Sequence, residues 1–194
     1  MTAPTKVPYK IYQGATFNEV LRWESYEIGY APISAISKSA PVDITATAHG
    51  IPIGWRVKVR GVQGMKEINS DEYVYVSDAT VNNVFIDSIN SIQYSTYTSG
   101  GVLEYNKPKS LVGYTARMQI REKLASSTTV YELTTENGGI ILNDTLKTIT
   151  LTIPATTTAG FTFKTAVYNL ELVNAGTVIR LTQGDLTLVP EVTR

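Results

Sequence analysis

The sequence contains no cysteine. That absence excludes disulfides, thiol nucleophiles and thiolate metal sites together, and it removes redox chemistry as a guide to compartment. Histidine occurs once, at position 49, so a histidine-based zinc site lacks its other ligands and a nucleophilic triad has a single candidate base. Neither sign of charge dominates. Seventeen Lys and Arg balance seventeen Asp and Glu, which leaves no overall field to draw in nucleic acid or an anionic membrane. No apolar run approaches the roughly 20 residues of a membrane-spanning helix. The N-terminal MTAPTKVPYK has no apolar h-region, so the expectation is a soluble chain without a secretory leader. Helical stripes are missing as well: nowhere do apolar residues recur at helical spacing over three turns.

What is present points to β-structure. Thr, Val, Ile and Tyr dominate, and twelve tyrosines stand against four phenylalanines. Tyrosine suits half-exposed sheet faces and interfaces, where the ring packs and the hydroxyl stays wet. A hydrophobic content of 43% is enough to bury a core. The clearest strand lies in Leu111–Glu122, where Val112, Tyr114, Ala116, Met118 and Ile120 alternate with Gly113, Thr115, Arg117, Gln119 and Arg121. It resumes a pattern that opens near Tyr9 and is then interrupted.

The organisation read from turns and alternation is a flexible arm over 1–8, bounded by Pro4 and Pro8, followed by a host domain in two pieces, 9–32 and 104–194. Between them, 33–103 reads as an inserted small β-domain with short strands such as Val42–Ala46, Arg56–Val59, Val84–Ile86 and Val102–Tyr105. Glu24–Pro32 shows no periodicity and reads as a connection. In the host, Tyr9–Gln13, Thr16–Trp23, Thr129–Thr134, Ile140–Leu142, Thr148–Ile153, Ala166–Val173, Val178–Leu181 and Leu186–Val189 read as strands, with one helical turn at Pro154–Gly160. The fold class is all-β: an antiparallel β-sandwich interrupted by an inserted small β-barrel or sandwich module.

Chemistry-bearing constellations are few. Trp55–Arg60 (WRVKVR) puts Arg56, Lys58 and Arg60 on one strand face and Trp55, Val57 and Val59 on the other. That is either a polyanion-binding ridge or a solvated face. Trp55, Tyr94 and Tyr97 are candidate aromatic platforms for a glycan. His49, followed by Gly50, reads as a turn residue. Asp71/Glu72, Asn82/Asn83/Asp87 and Asn143/Asp144 fall where turns are expected and lack the alternating spacing of a calcium loop. No two carboxylates suggest a glycosidase cleft. The expectation is a non-enzymatic chain with no catalytic residue, cofactor or metal.

The second half, from GYTARMQIRE through VYELTTENGGIIL and KTITLTIPATTTAGFTFKTAVYNLELVN to VIRLTQGDLTLVPEVTR, resembles a small β-domain of tailed-bacteriophage virion proteins. It is similar to the attachment domain of upper-baseplate (BppU-like) and related tail or fibre proteins. The insert, most specifically ATAHGIPIGWRVKVRGV at Ala46–Val62, resembles the phage module named after the first catalytic-cysteine half-domain of ubiquitin-activating enzymes. Without cysteine that name implies no ubiquitin chemistry. The resemblance implies a virion component, made in the bacterial cytoplasm, that docks to other phage structural proteins in multiple copies. A carbohydrate- or receptor-binding module is the alternative.

Overall fold

In a computed structural model, which describes residues 4–192, the chain is all-β and divides into two compact units: Met1–Trp23 with Ser110–Arg194, and Glu24–Lys109. The first unit opens with β1 (Thr5–Lys6), β2 (Tyr9–Tyr12) and β3 (Phe17–Leu21). The second holds β4 (Glu24–Pro32), β5 (Ala35–Ile36), β6 (Val42–Thr45), β7 (Arg56–Gln63), β8 (Val74–Tyr75), β9 (Asp78–Ala79), β10 (Asn83–Ile86) and β11 (Ser99–Pro108). The first then continues with β12 (Thr115–Arg121), β13 (Tyr131–Thr134), β14 (Ile140–Asn143), β15 (Thr148–Ile153), the single helical turn α1 (Ala155–Thr158), β16 (Thr165–Asn174) and β17 (Thr177–Val189).

In the first unit a six-stranded sheet runs β1-β17-β16-β12-β13, with β2 also on β17, and a three-stranded sheet runs β14-β15-β3. Alternation decides which faces meet. Met118 and Ile120 of β12 and Leu170 and Leu172 of β16 point inwards, as do Ile149, Leu151 and Ile153 of β15, and all of them are buried in one core. Burying each such side chain contributes on the order of 1.5–3 kcal/mol. Tyr9 stacks on Tyr168 and meets Phe17 edge-on in the same core.

Three features of this unit depart from the sequence reading. The described part of the expected arm is not free: Thr5 and Lys6 pair with Thr182 and Gln183, and the Val7 N–H donates to the Gln183 carbonyl at 2.9 Å. Residues 1–3 lie outside the described residues. Strands β1 and β2 run parallel to β17, so the six-stranded sheet is mixed. The two expected strands Val178–Leu181 and Leu186–Val189 are one thirteen-residue strand, whose pairing with β16 shifts register between Leu170 and Glu171. That bulge breaks the period-two signal in the sequence.

The second unit contains two four-stranded sheets, β5-β6-β10-β9 and β4-β11-β7-β8, and no closed barrel among the described residues. Trp55, Val57, Val59, Ile44, Val84, Ile86 and Leu103 fill its core. The expected boundaries at residues 32/33 and 103/104 fall at the end of β4 and within β11, because β4 pairs with β11 from Val102↔Pro32 to Pro108↔Glu24. The segment Glu24–Pro32 is therefore a nine-residue strand rather than a connection. Its inner face carries Gly29 and Ala31 instead of large apolar residues, since the Tyr105 ring lies 2.7 Å from where a Gly29 Cβ would be. Its large residues, Tyr26, Ile28 and Tyr30, face outwards.

Candidate functional site

The basic residues Arg56, Lys58 and Arg60 alternate along β7 and share the outer face of the β4-β11-β7-β8 sheet. Pairing fixes their neighbours. Glu104 of β11 lies opposite both Lys58 and Tyr30, Val102 lies opposite both Arg60 and Pro32, and Arg56 lies opposite Tyr75. Directly opposed residues share a face, so the cations run between a tyrosine-bearing edge on β4 and another on β8.

The charges on this face are internally matched. Arg56 donates through Nε and Nη2 to the two Glu24 carboxylate oxygens at 2.8 and 2.6 Å. This bidentate pair raises the guanidinium pKa further. Arg60 meets Asp71 at 2.6 Å and Glu104 at 3.1 Å. Both Arg56 and Lys58 sit over the Tyr73 ring, 4.5 and 4.6 Å from its centre. With three carboxylates set against three cations, the ridge presents no net positive field to a polyanion.

The aromatic candidates lie elsewhere. Trp55 is fully buried, and its Nε1–H donates to the Asn106 carbonyl at 2.8 Å, so it is a core residue and offers no platform. The physical reason is the alternation itself, which puts it on the same face as Val57 and Val59. Tyr94 is half-buried against the core of this unit. The Tyr97 hydroxyl is placed to donate to the Ile33 carbonyl (3.0 Å) or the Gly100 carbonyl (3.1 Å), which ties its ring down. Neither lies on a strand of the sheet that carries the cations.

The exposed rings of this sheet are ones the sequence reading passed over: Tyr26 (86% exposed) and Tyr30 (60%) on β4, and Tyr75 (66%) on β8. The signal was present, since Tyr26, Ile28 and Tyr30 alternate, but with the apolar face outwards.

Of the other polar candidates, His49, Asp71, Asn83 and Asp144 are engaged in structural bonds. His49 is buried; its Nδ1 accepts from the Ile51 N–H at 2.9 Å, which leaves Nε2–H to donate to the Thr80 carbonyl at 2.9 Å. Asp71 pairs with Arg60, and Asn83 donates to Asp43 at 2.7 Å. Asp144 accepts from the Leu111 N–H at 2.6 Å and pairs with Lys147 at 2.7 Å. Lys147 and then the Leu111 N–H hold its carboxyl below the ordinary carboxylate range. Among the described residues no group of three His, Asp or Glu could hold a metal ion. A groove of about 390 Å³ lies on the outer face of the first unit, lined by Arg117, Gln119, Arg121, Leu124, Asn169 and Glu171. Its polar groups bond to one another and to nearby backbone: Arg117 to Glu171, Gln119 to Glu132, and Arg121 to the Ser126 and Ser127 carbonyls.

No protein-family model matches the chain, and no curated protein matches it.

Proposed function

We propose that the chain is a non-enzymatic structural component of a tailed-phage particle and acts by docking to other virion proteins. The resemblance of its second half and of Ala46–Val62 to virion β-modules supports the virion setting. One structural observation carries the docking: an outer sheet face on which exposed Tyr26, Tyr30 and Tyr75 flank Arg56, Lys58 and Arg60. Tyrosine and arginine are the residues that concentrate binding energy at protein interfaces. Internally paired charges suit such a role, because a docked partner then buries few unpaired cations.

The glycan reading relies on Trp55, Tyr94 and Tyr97, and these are buried or tied down. Exposed Tyr26, Tyr30 and Tyr75 are the rings of this sheet that remain to serve it, with Tyr26 the most exposed. Two measurements separate the readings. Mass spectrometry of purified particles should find the full chain, and a glycan array should find no ligand for it. A particle lacking the chain, or a specific glycan whose binding is lost in Tyr26→Ala, would replace the docking reading with the other.

A further inference from the structure

Every sheet edge in the molecule exposes backbone N–H and C=O groups to pairing by another strand unless something blocks it. Most edges here are blocked. Strands β5, β8 and β9 are two residues long. The open side of β4 ends at Pro32, which has no N–H, and its pairing is broken by a bulge between Ile28 and Glu24. On β13 the open side is closed by one side chain: the Asn137 amide donates to the Glu132 carbonyl and accepts from the Thr134 N–H, both at 2.9 Å. Strands β1 and β2 carry Lys6 and Lys10 and are separated by Pro8. Strand β14 is four residues long and is followed at once by Asp144, tied to the Leu111 N–H.

Among the described residues, strand β3 is the exception. Its five residues, FNEVL, include no proline, lysine or bulge, and it stands at the end of the β14-β15-β3 sheet. The hydrogen-bond phase fixes what it exposes. The Thr152 N–H donates to the Gly139 carbonyl, so the even residues of β15 bond to β14 and the odd ones to β3. Phe17, Glu19 and Leu21 therefore bond to β15, while Asn18 and Val20 turn their N–H and C=O to the open edge. The outer side chains there form an uncharged row, Val20 opposite Thr150 and Thr150 opposite Ile141, with Val20 46% and Ile141 58% exposed.

We infer that this edge pairs with β3 of a second copy of the chain, antiparallel, about a two-fold axis through Val20. The register is self-complementary. Val20 meets Val20 of the second copy in a hydrogen-bonded pair, Asn18 stands opposite residue 22, and the one charge on the strand, Glu19, stands opposite Leu21, so no like charges are directly opposed. The three-stranded sheet becomes six-stranded, with one continuous row Ile141–Thr150–Val20–Val20–Thr150–Ile141 across it. An edge this short buries less than the roughly 1,200 Å² of a standard stable interface. Self-pairing is accordingly weak in solution and gains strength where a particle holds copies side by side. It stands on the edge geometry of this unit alone and holds whatever covers the Tyr26/Tyr30/Tyr75 face.

Sedimentation of the full chain from micromolar to millimolar concentration tests this. The expected result is a reversible monomer–dimer equilibrium. Val20→Pro removes only an edge donor, and Val20→Lys places two like charges on the axis; each should weaken dimerisation by at least about tenfold, with the melting temperature little changed. The absence of cysteine permits a second, independent measurement. Val20→Cys should cross-link to a dimer with a short bismaleimide, because the paired Cα atoms stand about 5.5 Å apart, while Ile141→Cys, at the far end of the row, should not. A monomer at every concentration, a dimer indifferent to both Val20 substitutions, or equal cross-linking from positions 20 and 141 would overturn the inference.

Discussion

Gly184 of β17 lies beneath the Val7 carbonyl: a Cβ at position 184 would sit 2.3 Å from that oxygen. The same carbonyl accepts from the Tyr168 hydroxyl at 2.8 Å, and Tyr168 lies opposite Gly184 on the neighbouring strand. One close approach and one partly buried hydrogen bond thereby add to the β1–β17 pairing that holds the N-terminal segment onto the sheet. Gly184→Ala should force the two backbones apart and destabilise the first unit by about 1–3 kcal/mol. Amide exchange at Thr5–Val7 should accelerate more than at Met118 or Leu170. Equal acceleration throughout would show that the segment is not a separately held piece.

The second unit is bounded by its own paired strands. Glu24 and Pro108 are partners across β4 and β11, so the chain enters and leaves this unit on adjacent strands. Replacing Glu24–Lys109 by a short glycine-containing linker should leave a first unit that unfolds cooperatively. Replacing only 33–103 should give a less soluble product, because β4 then keeps only Glu104–Pro108 of β11 as a partner and the resulting two-stranded ribbon exposes Tyr26, Ile28 and Tyr30. Differential scanning calorimetry and light scattering distinguish the two deletions. Loss of cooperative unfolding in the Glu24–Lys109 deletion would count against two separable units.

Trp55 and Tyr26 should behave as opposites. Trp55→Ala removes a fully buried ring and its bond to Asn106, and should cost roughly 3–5 kcal/mol. Tyr26→Ala lies on the surface and should change stability by less than about 0.5 kcal/mol while weakening partner binding. Thermal melts and a binding assay on both variants check this. Similar melting losses at the two positions would show the sheet faces to be wrongly assigned.

Alkali should destabilise the first unit through two buried phenols. Burial first, and then the neighbouring Tyr168, push the Tyr9 phenol above its ordinary value of 10.0, and burial raises Tyr168 as well. The folded state favours the neutral phenols. Their contribution is complete below about pH 10 and is lost as the pH climbs from there towards the folded-state values. Tyr9→Phe keeps the Tyr168–Val7 bond and removes one of these groups, so its melting temperature should fall less steeply above pH 10 than that of the natural chain. Parallel curves would exclude Tyr9 as a source of the alkaline loss.

Much of the fold was legible in the sequence where one face is apolar and the other polar. Met118 and Ile120 against Arg117 and Gln119, or Ile149 to Ile153 against the threonines, report their faces directly, and the structure buries the expected side of each. Strand β4 was hidden because its pattern is inverted: Gly29 makes room for Tyr105, and the large residues face out. Strand β1 was hidden because two residues pairing in parallel between prolines give no period to read. In the candidate site the basic ridge of β7 was visible, as were carboxylates of the insert able to offset it, Asp71 among them, but not which of them pair with it. Glu24, Asp71 and Glu104 reach it from distant points of the chain, and only pairing brings them together.

The central claim is that this chain works by docking, with the outer face of the second unit as an interface. A cryo-electron-microscopy reconstruction of the tailed-phage particle in which we propose the chain to reside tests this most directly. The account predicts the chain in place, with Tyr26, Tyr30 and Tyr75 covered by a neighbouring protein. A chain present with those three rings facing open solvent, or absent from the particle, would contradict it.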